Sequence, residues 1–205
     1  MRLGRTATAD PYPLRKKGIC GCHLHFLRVQ IPAVPTNQFY IGISRLYLGI
    51  VSELAKNLIV VYYSEEGRTK TMAEGIAEGA KVYGVNVILK RVEDCDVRDL
   101  VEADGIAMGS PTYFSNIAWR MKKLIDESIT AYETANSLEN KIGTCFTSAG
   151  TRRDGLQCVR MLELALGFHH KMKLVPGIVS DSDDSEEELE QVCKDQGKRI
   201  AEQLK

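Results

Sequence analysis

From residue 56 onward, short apolar runs alternate with amphipathic stretches, and this order constrains the fold more than any other feature of the chain. The apolar runs predict strands at 58–63, 85–92, 105–109, 142–147 and 173–179. The amphipathic stretches predict helices at about 69–83, 117–128 and 156–166, with a last helix after the acidic run 181–188. Strands and helices that alternate at this spacing form parallel sheets joined by right-handed crossovers. We therefore predict an α/β fold with a doubly wound, five-stranded parallel sheet.

Residues 1–55 lack this order. Prolines interrupt the segment, and it carries seven basic residues against two acidic ones, an excess of five positive charges. We predict a poorly structured N-terminal extension at 1–55 and one folded domain at 56–205. Two interpretations of the extension stay open: a leader of the transit type, or a stretch outside the folded unit with translation beginning near Val51.

Composition excludes several functional classes. The formal net charge of zero argues against a nucleic-acid binder that relies on phosphate contacts. No run of about 18 apolar residues exists, so no membrane span is predicted. The six cysteines are scattered, which favours a reduced, cytoplasmic setting. In the segment 20–25, strand-like alternation would put Cys22 off the face shared by His23 and His25, and no second ligand pair follows, so no metal site is predicted.

The turn after the first strand has the composition of a phosphate-binding site. Ser64, Gly67 and Thr69 lie where an apolar strand ends and a helix begins. Such a turn gathers hydroxyl donors, free backbone N–H groups and the positive end of the helix dipole. We predict that Ser64, Thr69 and backbone N–H groups hold a phosphate, with Arg68 nearby. The alternative is an ordinary capped turn, because Ser and Thr cap helices of every kind.

Two further loops are predicted at the same edge of the sheet. The segment 109–116 follows the third strand and contains Pro111 and an aromatic pair, and the segment 147–155 after the fourth strand is small and polar. Parallel sheets of this kind bind ligands at the carboxyl ends of the strands, at the point where strand order reverses. Each loop alone is also typical of an ordinary turn. Together they favour a flat heterocycle with a phosphate tail, and FMN fits better than a dinucleotide. A dinucleotide would need a three-glycine turn and an acidic residue where this chain has Lys90 and Arg91.

Several motifs match a known superfamily. They are Tyr62-Tyr63-Ser64 with Gly67, Thr71-Met72-Ala73, Ala77-Glu78-Gly79-Ala80, Lys90-Arg91-Val92, Gly109-Ser110-Pro111-Thr112 with Phe114 and Asn116, Met121-Lys122 with Asp126, Ser148 with Gly150 and Thr151, and His169-His170. On these residues, 58–205 resembles the flavodoxin superfamily. It is most similar to WrbA-type NAD(P)H:quinone oxidoreductases and to NADPH-dependent FMN reductase-like flavoproteins. The resemblance implies a flavodoxin-like three-layer α/β/α fold.

The resemblance also implies a cofactor site. Around the FMN phosphate it places Ser64, Glu65, Gly67, Arg68 and Thr69. Flanking the flavin ring it places Pro111, Thr112, Tyr113 and Phe114, and at the polar edge of the ring Ser148, Ala149, Gly150, Thr151 and Arg152. His170 would approach the ring from a neighbouring subunit or from its own loop, and it is the candidate catalytic residue for proton delivery.

The implied activity is that of an FMN-dependent oxidoreductase. It would take hydride from NAD(P)H as co-substrate and pass it to a quinone or another small acceptor, and a homodimer or homotetramer is expected. Glu66 stands where the family usually has an aromatic residue, and the family's insertions before the third strand and after the fifth are missing. Two alternatives therefore remain: a one-electron carrier of the flavodoxin kind that binds protein partners, and a flavin-free interaction module.

Overall fold

A computed structural model describes residues 55–134 and 137–205. The strands are β1 (Asn57–Tyr62), β2 (Asn86–Arg91), β3 (Gly105–Tyr113), β4 (Asn116–Ile117), β5 (Ile142–Ser148) and β6 (Lys173–Ser180). The helices are α1 (Arg68–Lys81), α2 (Val97–Glu102), α3 (Trp119–Glu127), α4 (Ile129–Glu133), α5 (Arg152–Glu163) and α6 (Glu186–Leu204). A π-helical stretch, Leu164–His169, continues α5 and is called the π segment below.

The strands form one parallel sheet with the order β2-β1-β3-β5-β6. The two-residue β4 turns back and pairs antiparallel with the end of β3. The predicted five-stranded parallel sheet is therefore confirmed. From β1 the chain goes first to β2 on one side and then to β3 on the other, so the strand order reverses between β1 and β3. A ligand site is expected at the carboxyl ends of these two strands.

Two hydrophobic cores cover the two faces of the sheet. Alternate side chains of β1 point to opposite faces, and Ile59 and Val61 belong to one core while Leu58 and Val60 belong to the other. The first core includes side chains of α2, α3 and α5, and the second includes side chains of α1 and α6. The result is the predicted three-layer α/β/α arrangement, in which the inner strand β1 is apolar on both faces.

The end of β3 differs from the prediction. We predicted a loop from residue 109, whereas Pro111, Thr112 and Tyr113 are in the strand. Pro111 has no N–H to donate, but β1 ends opposite Gly109, so no ladder hydrogen bond on that side requires one. On the other side, pairing with β5 continues as far as Pro111 and Ser148. The predicted helix at 117 begins at Trp119 instead, because residues 116–117 complete a hairpin with β3.

The start of α5 also differs. We predicted a loop as far as Gly155, but the helix begins at Arg152, because the Thr151 side chain accepts a hydrogen bond from the backbone N–H of Asp154. Gly155 lies inside the helix, where a Cβ would stand 2.3 Å from Val179. At the start of α6, Ser185 and Glu188 form a capping box.

The predictions for residues 1–54 lie outside the described residues, including the extension itself and the Cys and His residues at 20–25. Among described helices, none is long and apolar enough to cross a membrane. Within the same part of the chain, no group of three or more His, Cys, Asp and Glu side chains is placed to hold a metal ion.

Candidate functional site

A cavity of about 300 Å³ opens at the carboxyl edge of the sheet, where strand order reverses. Of the predicted site residues, it is lined by Ser64, Glu65, Arg68, Thr69, Pro111, Thr112, Tyr113, Ser148, Ala149 and Gly150. Two residues that the sequence analysis did not place in the site, Glu66 and Ser182, also line it. The structure therefore brings the three predicted segments together around one cavity.

The turn before α1 has the geometry of an anion site. Gly67 adopts a left-handed conformation (φ 99°) that favours glycine, and its N–H donates to Ser64 Oγ at 3.1 Å. No side chain caps α1, and no acidic residue lies in its first turn. In α6, by contrast, a capping box and three glutamates compensate the same end of the helix. The N–H groups and dipole at the start of α1 are therefore left for a bound anion.

Two buried hydroxyls meet at the floor of the cavity. Thr69 Oγ1 and Ser148 Oγ are 2.7 Å apart, and they join the start of α1 to the end of β5. Either group can be the donor in this contact, so whichever hydroxyl accepts keeps its own proton free for an anion. Ser148 was predicted at the polar edge of a flavin ring, whereas this contact places it beside the anion-binding turn.

Arg68 lines the cavity, but its guanidinium is held by the loop that follows β6. Its Nε donates to Ser180 Oγ at 2.9 Å, and its Nη2 donates to the backbone carbonyls of Asp181 and Asp184 at 2.5 and 3.1 Å. Ser182 of the same loop donates to the carbonyl of Gly150 at 2.9 Å. The loop 181–184 is thus a fourth wall of the site. This wall is not evident from the sequence, because the acidic residues of the loop resemble an ordinary helix start.

The two predicted aromatic residues differ in position. Tyr113 is half-exposed and lines the cavity, while Phe114 is fully exposed at the tip of the β3–β4 hairpin and does not line it. Phe114 and Ser115 both have positive φ angles of 51° and 61°. Ser115 Oγ donates to a carboxylate oxygen of Asp154 at 2.6 Å, which joins the hairpin to the start of α5. Hydrogen bonds from Ser115 and Thr151 hold the pKa of Asp154 below its ordinary value.

The acidic side of the cavity is partly neutralised. The hydroxyl of Tyr63 donates to Glu65, and Arg120 donates to the same hydroxyl at 3.1 Å. The hydrogen bond to Glu65 raises the pKa of Tyr63 above its ordinary value. Burial, followed by the charges of Glu65 and Glu66, raises the pKa of Tyr113. Both phenols therefore stay neutral; the Tyr63 hydroxyl is already donated to Glu65, and the Tyr113 hydroxyl is the one that can donate at the cavity.

Gly67, Thr151 and Arg152 support the site without lining the cavity. Gly67 forms the turn, and Thr151 caps α5. Arg152 donates to the carbonyl of Val179 at 3.5 Å, and its Nη1 lies 3.8 Å from a carboxylate oxygen of the buried Asp181. Arg152 therefore packs against the end of β6, whereas the prediction placed it at the edge of a flavin.

The structure does not bring His170 to this cavity. His170 precedes β6, so it lies at the amino edge of the sheet, opposite the site, and its own loop cannot deliver it there. It is buried, and its Nε2 is 2.8 Å from Ser128 Oγ. Because the Ser128 hydroxyl donates to the carbonyl of Ile125, the imidazole Nε2 is the donor in this contact. An approach of His170 from a neighbouring subunit stays a prediction.

Replacing His170 with glutamine should reduce the fall in the free energy of unfolding at acidic pH. Burial, and then the neighbouring His169, lower the pKa of His170 from its ordinary 6.5. Between its folded and unfolded pKa values only the unfolded state binds the proton, so stability is complete above pH 6.5 and falls as pH drops. The loss is at most about 1.4 kcal/mol per pH unit. Urea unfolding over a pH series measures this loss of stability. Equal pH dependence in wild type and His170→Gln would contradict the prediction.

The donor set of the cavity fits FMN. A phosphate monoester needs several hydrogen-bond donors and a positive potential, and the hydroxyls of Ser64, Thr69 and Ser148 with the start of α1 provide them. Tyr113 offers a half-exposed ring on the opposite wall, which suits a planar head group. Within the described residues this cavity contains one such turn, which suits one phosphate better than a pyrophosphate.

Fold and site together define a doubly wound α/β protein with an anion-binding cavity at the switch point of its sheet. A sequence profile described as flavodoxin matches residues 60–195. The chain is 31% identical to a flavodoxin of Aquifex aeolicus over 159 positions, which cover 71% of this chain and 85% of the relative. The chain therefore belongs to the flavodoxin family.

The chain is also similar to a protein named as an enzyme and to solved structures. An NAD(P)H dehydrogenase (quinone) of Geotalea daltonii is 32% identical over 143 positions, which cover 58% of this chain and 69% of the relative. The structure of a flavodoxin, WrbA-like protein from Agrobacterium tumefaciens aligns with a TM-score of 0.63 at 28% identity, covering 73% of this chain and 98% of the other. A flavodoxin from the domain Archaea aligns with a TM-score of 0.61 at 31% identity, with coverage of 72% and 98%.

Proposed function

We propose that this chain binds FMN in the cavity between β1, β3 and β5 and acts as an NAD(P)H-dependent oxidoreductase that reduces a quinone or another small acceptor. One observation carries the proposal: the hydroxyls of Ser64, Thr69 and Ser148, the start of α1 and the ring of Tyr113 line one cavity. When bound, FMN supplies the hydride chemistry. The quinone-reducing relatives at about 30% identity support the choice of substrates.

The chain's own residues would position the cofactor. Ser64 and Thr69 would donate to the phosphate, and Tyr113 would lie against the ring. Glu65 accepts a hydrogen bond from the Tyr63 hydroxyl, and Arg120 donates to that same hydroxyl, so the Glu65 carboxylate would be held on the Tyr63 side of the cavity. The four cysteines in the described part of the chain are free thiols, which supports the proposed reduced, cytoplasmic setting.

Ser64→Ala and Thr69→Val should each weaken FMN binding by about 1 kcal/mol or more, because each removes a hydroxyl donor to the phosphate. Titration with FMN, followed by quenching of flavin fluorescence, measures the affinity. Thr71→Val is the matched control, since the Thr71 hydroxyl donates at 3.4 Å to the carbonyl of Gly67 and Thr71 does not line the cavity. Wild-type affinity in both test variants would place the anchor elsewhere.

A one-electron carrier is the second candidate, and the charges around the site favour it. Carriers usually present an acidic rim around the flavin, whereas cationic side chains lie on or near the predicted loops of this chain, at Arg68, Arg120, Lys122, Lys123, Arg152 and Arg153. In the structure Arg120 pairs with Glu93, Lys122 with Asp126 and Lys123 with Glu127. The carboxylates of Glu66 and of the loop 181–184 then outnumber the remaining cations near the cavity, which are Arg68, Arg152 and Arg153. Such a rim suits a protein partner with a basic surface.

Stopped-flow mixing separates the two candidates. The FMN-loaded protein is mixed anaerobically with NADH or NADPH, and the flavin absorbance is followed. We expect rapid bleaching with at least one of them, followed by recovery of the absorbance when a quinone is added. Bleaching by neither nucleotide, with intact FMN binding, would favour the carrier.

A further inference from the structure

A groove at the amino edge of the sheet lies between α4 and the π segment, away from the cofactor cavity. Its volume of about 470 Å³ is within the range of small-molecule sites. Its walls are mainly apolar, with Ile125, Ile129 and Tyr132 on one side and Ala165 on the other. The second wall belongs to the π segment, and π-helical turns are rare and occur frequently at functional sites. The groove therefore has both the size and the local structure of a ligand site.

His170 also lines this groove, although only 5% of the residue is exposed. Its Nε2 donates to Ser128 Oγ, because the proton of that hydroxyl goes to the carbonyl of Ile125. Burial, and then the neighbouring His169, lower the pKa of His170 from its ordinary 6.5, so the imidazole is neutral at pH 7. In a neutral imidazole whose Nε2 carries the proton, Nδ1 has a lone pair and acts only as an acceptor.

The Nδ1 atom of His170 is buried and has no hydrogen-bond partner in the part of the chain that the structure describes. A buried acceptor without a donor is uncommon in folded proteins, because it loses its hydrogen bonds to water and gains none in return. Tyr132 stands next to this imidazole, edge-on, with 6.2 Å between the ring centroids, and it is half-exposed. Because the Tyr132 side chain is not enclosed by packing, its ring can turn and admit a ligand that donates to Nδ1.

The side chains around the groove narrow the class of ligand. Among the described residues that line it, Asp126 is the one carboxylate, and none is Lys or Arg, so an anionic ligand is disfavoured. Lys122 pairs with Asp126 and reduces its attraction for a cationic ligand. The class that remains is neutral. The rings of Tyr132 and His170 favour an aromatic body, and Nδ1 requires a hydrogen-bond donor on it.

We propose that this groove is a second ligand site, which binds a small neutral phenol with its ring against Tyr132 and Ala165 and its hydroxyl donating to His170 Nδ1. A phenol meets both requirements, since its ring covers apolar walls and its O–H is a good donor. The site goes beyond the proposed redox function, because none of its lining residues lines the cofactor cavity. It also explains why a buried histidine keeps one ring nitrogen unpaired.

An NMR titration of the full chain with para-cresol tests the proposal, and the methyl ether of para-cresol is the matched probe. The two molecules share one ring, but the ether has no hydrogen to donate. We expect saturable binding of para-cresol that moves the Nδ1 resonance of His170. The ether should bind about tenfold more weakly or worse, because Nδ1 then stays unpaired. Both affinities should be the same with and without FMN.

Two variants and a control locate the site. Ile129→Glu places a charge on the apolar wall at a side chain that is 52% exposed, and it should weaken para-cresol binding about tenfold or more. Val82→Glu is the control, because Val82 is 75% exposed but lies after α1 on another surface. It should bind para-cresol like the wild type. His170→Phe keeps a ring but removes the acceptor, so it should bind para-cresol and its methyl ether equally.

A tyrosine side chain of another protein carries the same phenol, and N-acetyltyrosinamide tests that source. We expect it to bind more weakly than para-cresol, because the apolar walls offer little to its peptide groups. Tighter binding than para-cresol would overturn the assignment to a free small molecule.

Several results would overturn the site itself. They are no saturable binding of para-cresol, equal affinity of the wild type for the ether, wild-type affinity in Ile129→Glu, or equal weakening by Val82→Glu. If His170→Phe folds and still prefers para-cresol, Nδ1 is not the contact. If it does not fold, the two probes on the wild type and on Ile129→Glu decide the question. None of these readouts requires flavin or redox activity, so they can fail or succeed independently of the proposed function.

Discussion

Replacing Gly79 by alanine should lower the free energy of unfolding by about 2 kcal/mol or more, although alanine is the better helix former. Helices α1 and α6 touch through small residues. A Cβ at Gly79 would stand 2.0 Å from the carbonyl oxygen of Lys194, and a Cβ at Gly197 would stand 2.1 Å from that of Ile76. Alanine gains about 1 kcal/mol in helix propensity. Overpacking costs about 3 kcal/mol here, because backbone atoms cannot turn aside as a side chain can.

Urea unfolding of wild type and variant measures this change. Gly150→Ala is the control, since Gly150 has an ordinary φ angle and a Cβ there would meet no atom within 4 Å. Its stability should stay within about 0.5 kcal/mol of wild type. FMN binding should also weaken in Gly79→Ala, because α1 carries Thr69 and a displaced helix moves that hydroxyl. A gain of about 1 kcal/mol in Gly79→Ala would mean that propensity alone acts and that the two helices separate freely.

Local pattern was enough to predict the sheet and which of its loops meet at one cavity. Buried parallel strands are continuous apolar runs, so β1, the first half of β3 and β5 are evident from composition. Parallel topology then brings the carboxyl ends of these strands together, which is why Ser64, Thr69 and Tyr113 line one cavity as predicted. The order of the strands alone therefore predicts which loops meet, and the packing of individual side chains is not needed for that prediction.

The remaining features depend on contacts between residues far apart in the chain. Arg68 appears free in the sequence, but its acceptors are at Ser180, Asp181 and Asp184, more than 100 residues later. The extension of β3 through Pro111 depends on where β1 ends, which the sequence of β3 does not contain. His170 was placed near the cofactor by resemblance, whereas its position at the start of β6 puts it at the opposite edge.

Arg68→Ala should release the loop 181–184, which forms the fourth wall of the cofactor cavity. The guanidinium donates to three acceptors on this stretch, one hydroxyl and two backbone carbonyls. Hydrogen bonds from a charged donor contribute about 1.5–3 kcal/mol each, and water replaces part of this at a half-buried site. We expect the free energy of unfolding to fall by about 2 kcal/mol. FMN affinity should fall about tenfold, because Ser182 leaves the cavity wall and a positive charge is lost.

Urea unfolding, FMN titration and hydrogen exchange at residues 181–184 measure the three consequences in one variant. Arg68→Lys should recover little of the stability, because a single ammonium group cannot match the fork that serves all three acceptors. Arg153→Ala is the control, since Arg153 is exposed, carries the same charge and does not line the cavity. If Arg68→Ala weakens FMN binding but leaves exchange in the loop unchanged, Arg68 acts on the phosphate directly and not through the loop. If Arg153→Ala weakens FMN binding equally, the effect is one of overall charge, and the position of Arg68 is immaterial.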